Sequence, residues 1–331
     1  MRSSVSTSHA CRAGPCTPSV TAKLAVLVHL APQSSRRAME QPLHAFAQSD
    51  GLHRTVRMLR YMGPSRDGAN IRAPSIDAVG TGGGRARRLN ESTLASVAIS
   101  SMGALAAKHG GDGVTRRHGS ANAMGLLGYA TTGYTYALRL IEAGCGFLQS
   151  SARLPHAFIP ARIRRKARRP GLVSAAAPLT CSSRVAATLL GTYSLGLMRN
   201  MASVSSRSGC ASTLCLHGAG AVDEVSVHGV TRMAHIFSGA VLTRTDMPGA
   251  LAWAEASRGE PFRSDHVDAQ LAILCGEDHP AILPVCSAVR CIAEACMVNS
   301  SSRKMHAAGA AITTISDGWT FRGATEFARA P

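Results

Sequence analysis

Gly80-Thr81-Gly82-Gly83 follows a short β-branched stretch, Ile76 to Val79, and precedes a helix-start pattern, Asn90-x-Ser92-Thr93. A strand that runs into bare backbone and out into a helix leaves unhindered N–H groups where an anion can dock. The helix dipole adds favourable potential there. Two familiar uses of such a bend are excluded by its own letters. Arg85 replaces the third glycine of G-x-G-x-x-G, so there is no dinucleotide fingerprint, and no Gly-Lys-Ser/Thr follows to make a Walker loop. The plain alternative is a tight turn whose glycines supply positive φ. A second bend, KHGGDGVTRRHGSAN, gathers Lys108, His109, Arg116 and Arg117 near another set of flexible backbone donors. Two such bends on either side of one helix suit a ligand with two anionic ends.

The elements that must position these residues can be read from periodicity and breakers. Ile76 to Val79 is a strand. Ser92 to Ala107 is small and apolar throughout and reads as a helix, with Ser92 or Thr93 near its N-cap and Lys108 at its C-terminal end. Helices are expected over Ala121 to Leu127, over Tyr134 to Ala143, and between Pro160 and Pro170. STLCLHG (Ser212 to Gly218) is a buried-strand pattern, and DEVSVHG from Asp223 and HIFSGAVL read as further strands. From about Asp265 the chain turns helical. Leu52, Val56 and Leu59 recur at helical spacing in the 40–70 stretch, before Gly63-Pro64 breaks the run. Strands alternating with helices give an α/β domain.

Composition narrows the partners. The chain has 331 residues, 45% of them hydrophobic and 4% aromatic, so the core is built from aliphatic side chains. No apolar run approaches the roughly 18 residues of a membrane helix, and no membrane is expected. The net charge of +17 admits a nucleic-acid surface, a pocket for a polyanionic small molecule, or a merely basic chain. The stretch 153–169 holds seven cations and no acid; such a run is most often a solvated face. Ten cysteines show no Cys-x-x-Cys pairing, and Cys286, Cys291 and Cys296 spread round a helix; reduced, mostly buried thiols are the reading. Residues 1–39 carry no acid and are rich in Ser and Arg, which reads as an organelle transit segment, a disordered tail or a misassigned start. A cytoplasmic location is expected, or a plastid if that segment is a transit peptide.

In order, the blocks DAVGTGG, NEST, AAKHG, GSAN…LLG, IEAGCGFL, APLT, LLGTYS and HGAGAVDEVS resemble the anthranilate phosphoribosyltransferase family, over roughly Asp77 to Thr231. The resemblance implies an α/β fold with a mixed central sheet flanked by helices, plus a small all-helical N-terminal domain. That domain would occupy 40–74 and be joined by part of 150–190, with 75–331 forming the α/β domain.

The implied reaction moves a phosphoribosyl group from phosphoribosyl pyrophosphate (PRPP) to anthranilate and releases pyrophosphate, a step of tryptophan biosynthesis. Displacement at the anomeric carbon builds oxocarbenium character while the leaving group gains charge, so fixed donors and Mg²⁺ must take that charge up. By the same resemblance Gly80, Thr81, Gly82 and Gly83 contact PRPP, with Asn90, Ser92, Thr93, Lys108 and Ser120. Ser92, Asp223 and Glu224 are implied as Mg²⁺ ligands. His109 and Arg164 match positions that face the aromatic acid, Arg164 being placed by counting back from APLT. A homodimer through the small helical domain is also implied.

The chain departs from the family pattern at several points. Gly84 stands where an Asp follows the glycine bend, Gly111-Asp112 where Asn-Arg follows KHG, and RPGLVSAAAPLTCS where the family has RTIFNLLGPLTNP. The second reading is a catalytically inactive family member that binds nucleic acid through its basic surface.

Overall fold

Seven strands form one sheet in the order β3-β2-β1-β4-β5-β6-β7. The computed structural model describes residues 75–82, 89–101, 104–111, 119–126, 144–149, 175–180, 185–207, 212–226, 229–237, 240–246, 266–274 and 282–298, with positions 50, 52–53 and 56–57. The chain divides into two units, Met1–Gln41 and Pro42–Pro331, and every described residue belongs to the second. The expected helices at 134–143 and 160–170, the basic stretch 153–169 and the segment 1–39 lie outside the described residues.

The strands are β1 (Ser75–Gly80), β2 (Leu105–Gly110), β3 (Cys145–Gln149), β4 (Val185–Gly191), β5 (Ser212–Gly218), β6 (Thr231–Phe237) and β7 (Ala240–Asp246). Strands β1 to β5 pair in parallel, while β6 and β7 add an antiparallel hairpin at the edge. The sheet is therefore mixed, as expected. The central strands are apolar on both faces because helices cover both. On one side α1 (Glu91–Ser101), α4 (His266–Leu274) and α5 (Ile282–Val298) bury Ile76, Ala78, Leu189 and Leu214 with Leu94, Ile99, Ile273 and Ile292. On the other, α3 (Leu195–Arg207) buries Val79, Leu190, Cys215 and Ile236 with Met198 and Met201. The short α2 (Ser120–Leu126) covers β2 and β3 through Ala121 and Met124.

Local sequence explains the ends of these elements. Ser194 caps α3, its hydroxyl accepting the N–H of Leu197 at 3.2 Å, and Arg207 complements the dipole in the last turn. α1 is small and apolar on nearly every side, which suits a helix buried between the sheet and α5. Among the described residues no helix is long and apolar enough to cross a membrane. Cys145, Cys215, Cys291 and Cys296 are buried free thiols and Cys286 is half-buried, in line with the reduced state expected.

Three expected elements are corrected. The helix expected to reach Ala107 ends at Ser101, and LAAKHG is strand β2, held between β1 and β3. Alanine favours helix locally, but parallel pairing on both edges overrides that preference. DEVSVHG is not a strand in its described part. Val222 makes a single bridge to Gly218, and the N–H of Ser226 turns to the hydroxyl of Thr231 at 2.9 Å. The HIFSGAVL segment is two strands of a hairpin rather than one. Leu52 and Val56 of the expected helical segment are helical and buried in the α3 cluster; most of 40–74 lies outside the described residues.

Candidate active site

Connections from β1 run outward through β2 and β3, and the chain then returns to lay β4 on the other flank of β1. That reversal opens a crevice at the carboxyl ends of β1 and β4, where open α/β sheets take their ligands. Gly80 ends β1 opposite Gly191, which ends β4.

Asp223 sits against both glycines. A Cβ on Gly80 would lie 2.6 Å from its Oδ2, and one on Gly191 would lie 1.8 Å from its carbonyl oxygen. Neither position can carry a side chain while Asp223 stays where it is. Gly82, at φ 67°, turns the chain so that its N–H donates to Asp223 Oδ2 at 2.7 Å. The N–H of Thr81 donates to the Gly191 carbonyl at 3.0 Å. Asp223 is 4% exposed and Glu224 9%. Both follow a left-handed corner in which Gly220 has φ 81° and Ala221 has φ 59°.

The second bend leaves β2 at the same edge of the sheet, one strand over. Gly110 is bare because a Cβ there would lie 2.8 Å from the Cβ of Ser120, the first residue of α2. His109 is buried in β2, and its main-chain N–H donates to Asp77 Oδ1 at 3.1 Å. Its Nδ1 lies 3.7 Å from Asp77 Oδ2, and neither ring nitrogen has a hydrogen-bond partner among the described residues. Sequence reasoning missed Asp77; the signal was a lone acid inside an otherwise apolar strand.

Lys108 is placed differently from expectation. It lies within β2 rather than at a helix end, is wholly buried, and its Nζ donates to the carbonyls of Ala78 at 2.6 Å and His109 at 2.9 Å. It ties β1 to β2 beneath the bends. Its charge is felt by Cys145 on β3, whose thiol burial nonetheless pushes up to about 12.

Asn90 heads α1, its carbonyl accepting the N–H groups of Thr93 and Leu94 at 2.9 and 3.1 Å. Ser92 is half-buried in the first turn. The hydroxyls of Thr81 and Thr93 are buried and have no hydrogen-bond partner among the described residues. Gly83, Arg116, Arg117 and Arg164 lie outside the described residues.

An open α/β sheet with bare-backbone bends and an acidic doublet at its switch point is a ligand-binding architecture. The chain belongs to the glycosyl transferase family, whose a/b-domain model matches residues 72–274. It is 29% identical over 223 residues to the anthranilate phosphoribosyltransferase of Rubrobacter xylanophilus, covering 62% of this chain and 65% of that one. With the enzyme of that name from Geobacter sulfurreducens it shares 31% over 201 residues, covering 59% and 57%. The chain thus spans less than two thirds of the length of these curated relatives. Its fold is that of the anthranilate phosphoribosyltransferase of Thermus thermophilus, with a TM-score of 0.65 at 23% identity over 85% of this chain and 83% of that one. The Saccharomyces cerevisiae enzyme in complex with PRPP and Mg gives 0.68 at 19%, over 94% and 84%.

Proposed function

We propose that this chain transfers the phosphoribosyl group of PRPP to anthranilate, releasing pyrophosphate, in tryptophan biosynthesis. The observation that carries the reading is the convergence of Gly80, Gly82 and Gly191 on Asp223 at the switch point, in a chain whose relatives bear that enzyme's name.

The residues present fit Mg²⁺. Asp223, Glu224 and Ser92 offer hard oxygens, the first two in one buried doublet beside Gly80 and Gly191. Among the described residues no three His, Cys, Asp or Glu side chains form a cage. A cation held by one or two carboxylates and completed by substrate phosphates is the habit of Mg²⁺. Bound there, it would neutralise charge that builds on the departing pyrophosphate.

The protein's own groups do the rest. Asp223 holds Gly82 in its left-handed turn, so the shape of the bend is fixed before substrate arrives. In this reading Gly80, Thr81 and Gly82 form the PRPP side of the crevice with Asn90, Thr93 and Ser120, and Gly83 is assigned there by the family resemblance alone. Lys108 acts indirectly, by tying the two strand ends together. Asp77 fixes His109 through its main-chain N–H, and His109 and Arg164 are the residues that the family resemblance assigns to the acceptor.

A homodimer built through the small helical domain belongs to the same reading, and light scattering tests it. The nucleic-acid reading has no observation among the described residues behind it. Purified protein given PRPP, Mg²⁺ and anthranilate should consume anthranilate fluorescence. Turnover no greater than that of an Asp223→Ala, Glu224→Ala variant would overturn the assignment.

A further inference from the structure

A second cleft lies between α3 and the β6–β7 hairpin, with a volume of about 550 Å³. That is the size of a site for one small organic molecule. One wall is a helical stripe of α3, where Arg199, Ser203 and Arg207 recur every four residues above Met198 and Ala202. The other wall is one face of the hairpin. Arg232 stands directly opposite Thr245, and Ala234 opposite Thr243, so these four side chains share that face.

The charge of this cleft is one-sided. Its described lining holds three guanidinium groups and no carboxylate. Arg207 bonds to Asp50 at 2.8 Å, but Arg199 and Arg232 have no carboxylate partner among the described residues. Crowded cations raise the local potential and draw an oxyanion, which arginine forks grip bidentately. Beneath them the floor is apolar, with buried Met198, Ala202 and Ala234. A bare inorganic anion would leave that floor wet.

From this we infer that the cleft binds a small organic oxyanion, its phosphate or carboxylate on Arg199 and Arg232 and its hydrocarbon part on the Met198–Ala202 floor. The lining shares no residue with the proposed transferase crevice, and the inference does not depend on that function.

Calorimetric titration of the full chain with phenyl phosphate, benzoate and inorganic phosphate tests this. Phenyl phosphate or benzoate should bind at least tenfold tighter than inorganic phosphate. The stronger of the two identifies the head group. Arg199→Gln with Arg232→Gln should weaken that binding tenfold or more while anthranilate turnover is unchanged. Thr243→Phe, which fills the cleft from an exposed strand position and leaves its charges alone, should abolish aryl binding and preserve the fold by circular dichroism. Equal affinity for all three anions would overturn the inference. So would binding that survives both cleft variants, or binding that disappears instead in Asp223→Asn, Glu224→Gln.

Discussion

The carboxyl ends of β1 and β4 and the outer hairpin β6–β7 belong to one sheet but are built on opposite terms. At the first, Gly80, Gly191 and Asp223 leave each other no room, and nearly every polar group is buried. At the second, β7 is an edge strand whose Val241 and Leu242 are 44% and 58% exposed. The contrast teaches that rigidity has been concentrated where charge must be met by fixed dipoles. The region that faces solvent keeps space and long, adjustable cations.

The hardest way to break the contrast is Gly191→Ala. Its new methyl would overlap backbone, which cannot swing aside, so a loss of about 3 kcal/mol or outright failure to fold is expected in urea denaturation. Gly80→Ala meets a carboxylate instead and should cost less stability while displacing Asp223. Asp77→Asn comes next. The amide oxygen can still accept from the His109 N–H, so stability should hold, whereas turnover should fall about tenfold or more because the imidazole loses its orienting charge.

Alkaline pH gives a smaller, graded effect. The Cys145 and Cys296 thiols rise from 9.0 to about 12 through burial. Their pKa is higher folded than unfolded, so the stability they lend is complete below pH 9 and is lost as pH climbs through 12. Denaturation midpoints measured from pH 8 upward should drop. The smallest effect belongs to the hairpin: Leu242→Lys should change stability by no more than about 0.5 kcal/mol. A large loss there would mean that the edge strand is covered in solution.

Much of this was legible in advance, and the failures have definite causes. β5 coincides with STLCLHG because its apolar run is bounded by turn residues. α2 was readable from its small residues and the preceding glycine. LAAKHG misled because it contains no β-branched residue; only its neighbours β1 and β3 make it a strand. DEVSVHG misled in the other direction, its alternation being real but its partner a hydroxyl rather than a strand. In the crevice, the order of blocks pointed to Gly80 and Asp223. The inward aim of Lys108 and the reach of Asp77 to His109 depend on the register between β1 and β2, which no local pattern encodes.

The bond from Gly82 to Asp223 joins positions 141 residues apart. During synthesis the glycine-rich stretch therefore leaves the ribosome well before its carboxylate anchor exists, by roughly 7 to 30 seconds at about 5–20 residues per second. Nascent chains arrested short of residue 223 have no means of completing the crevice, however well their first strands have paired.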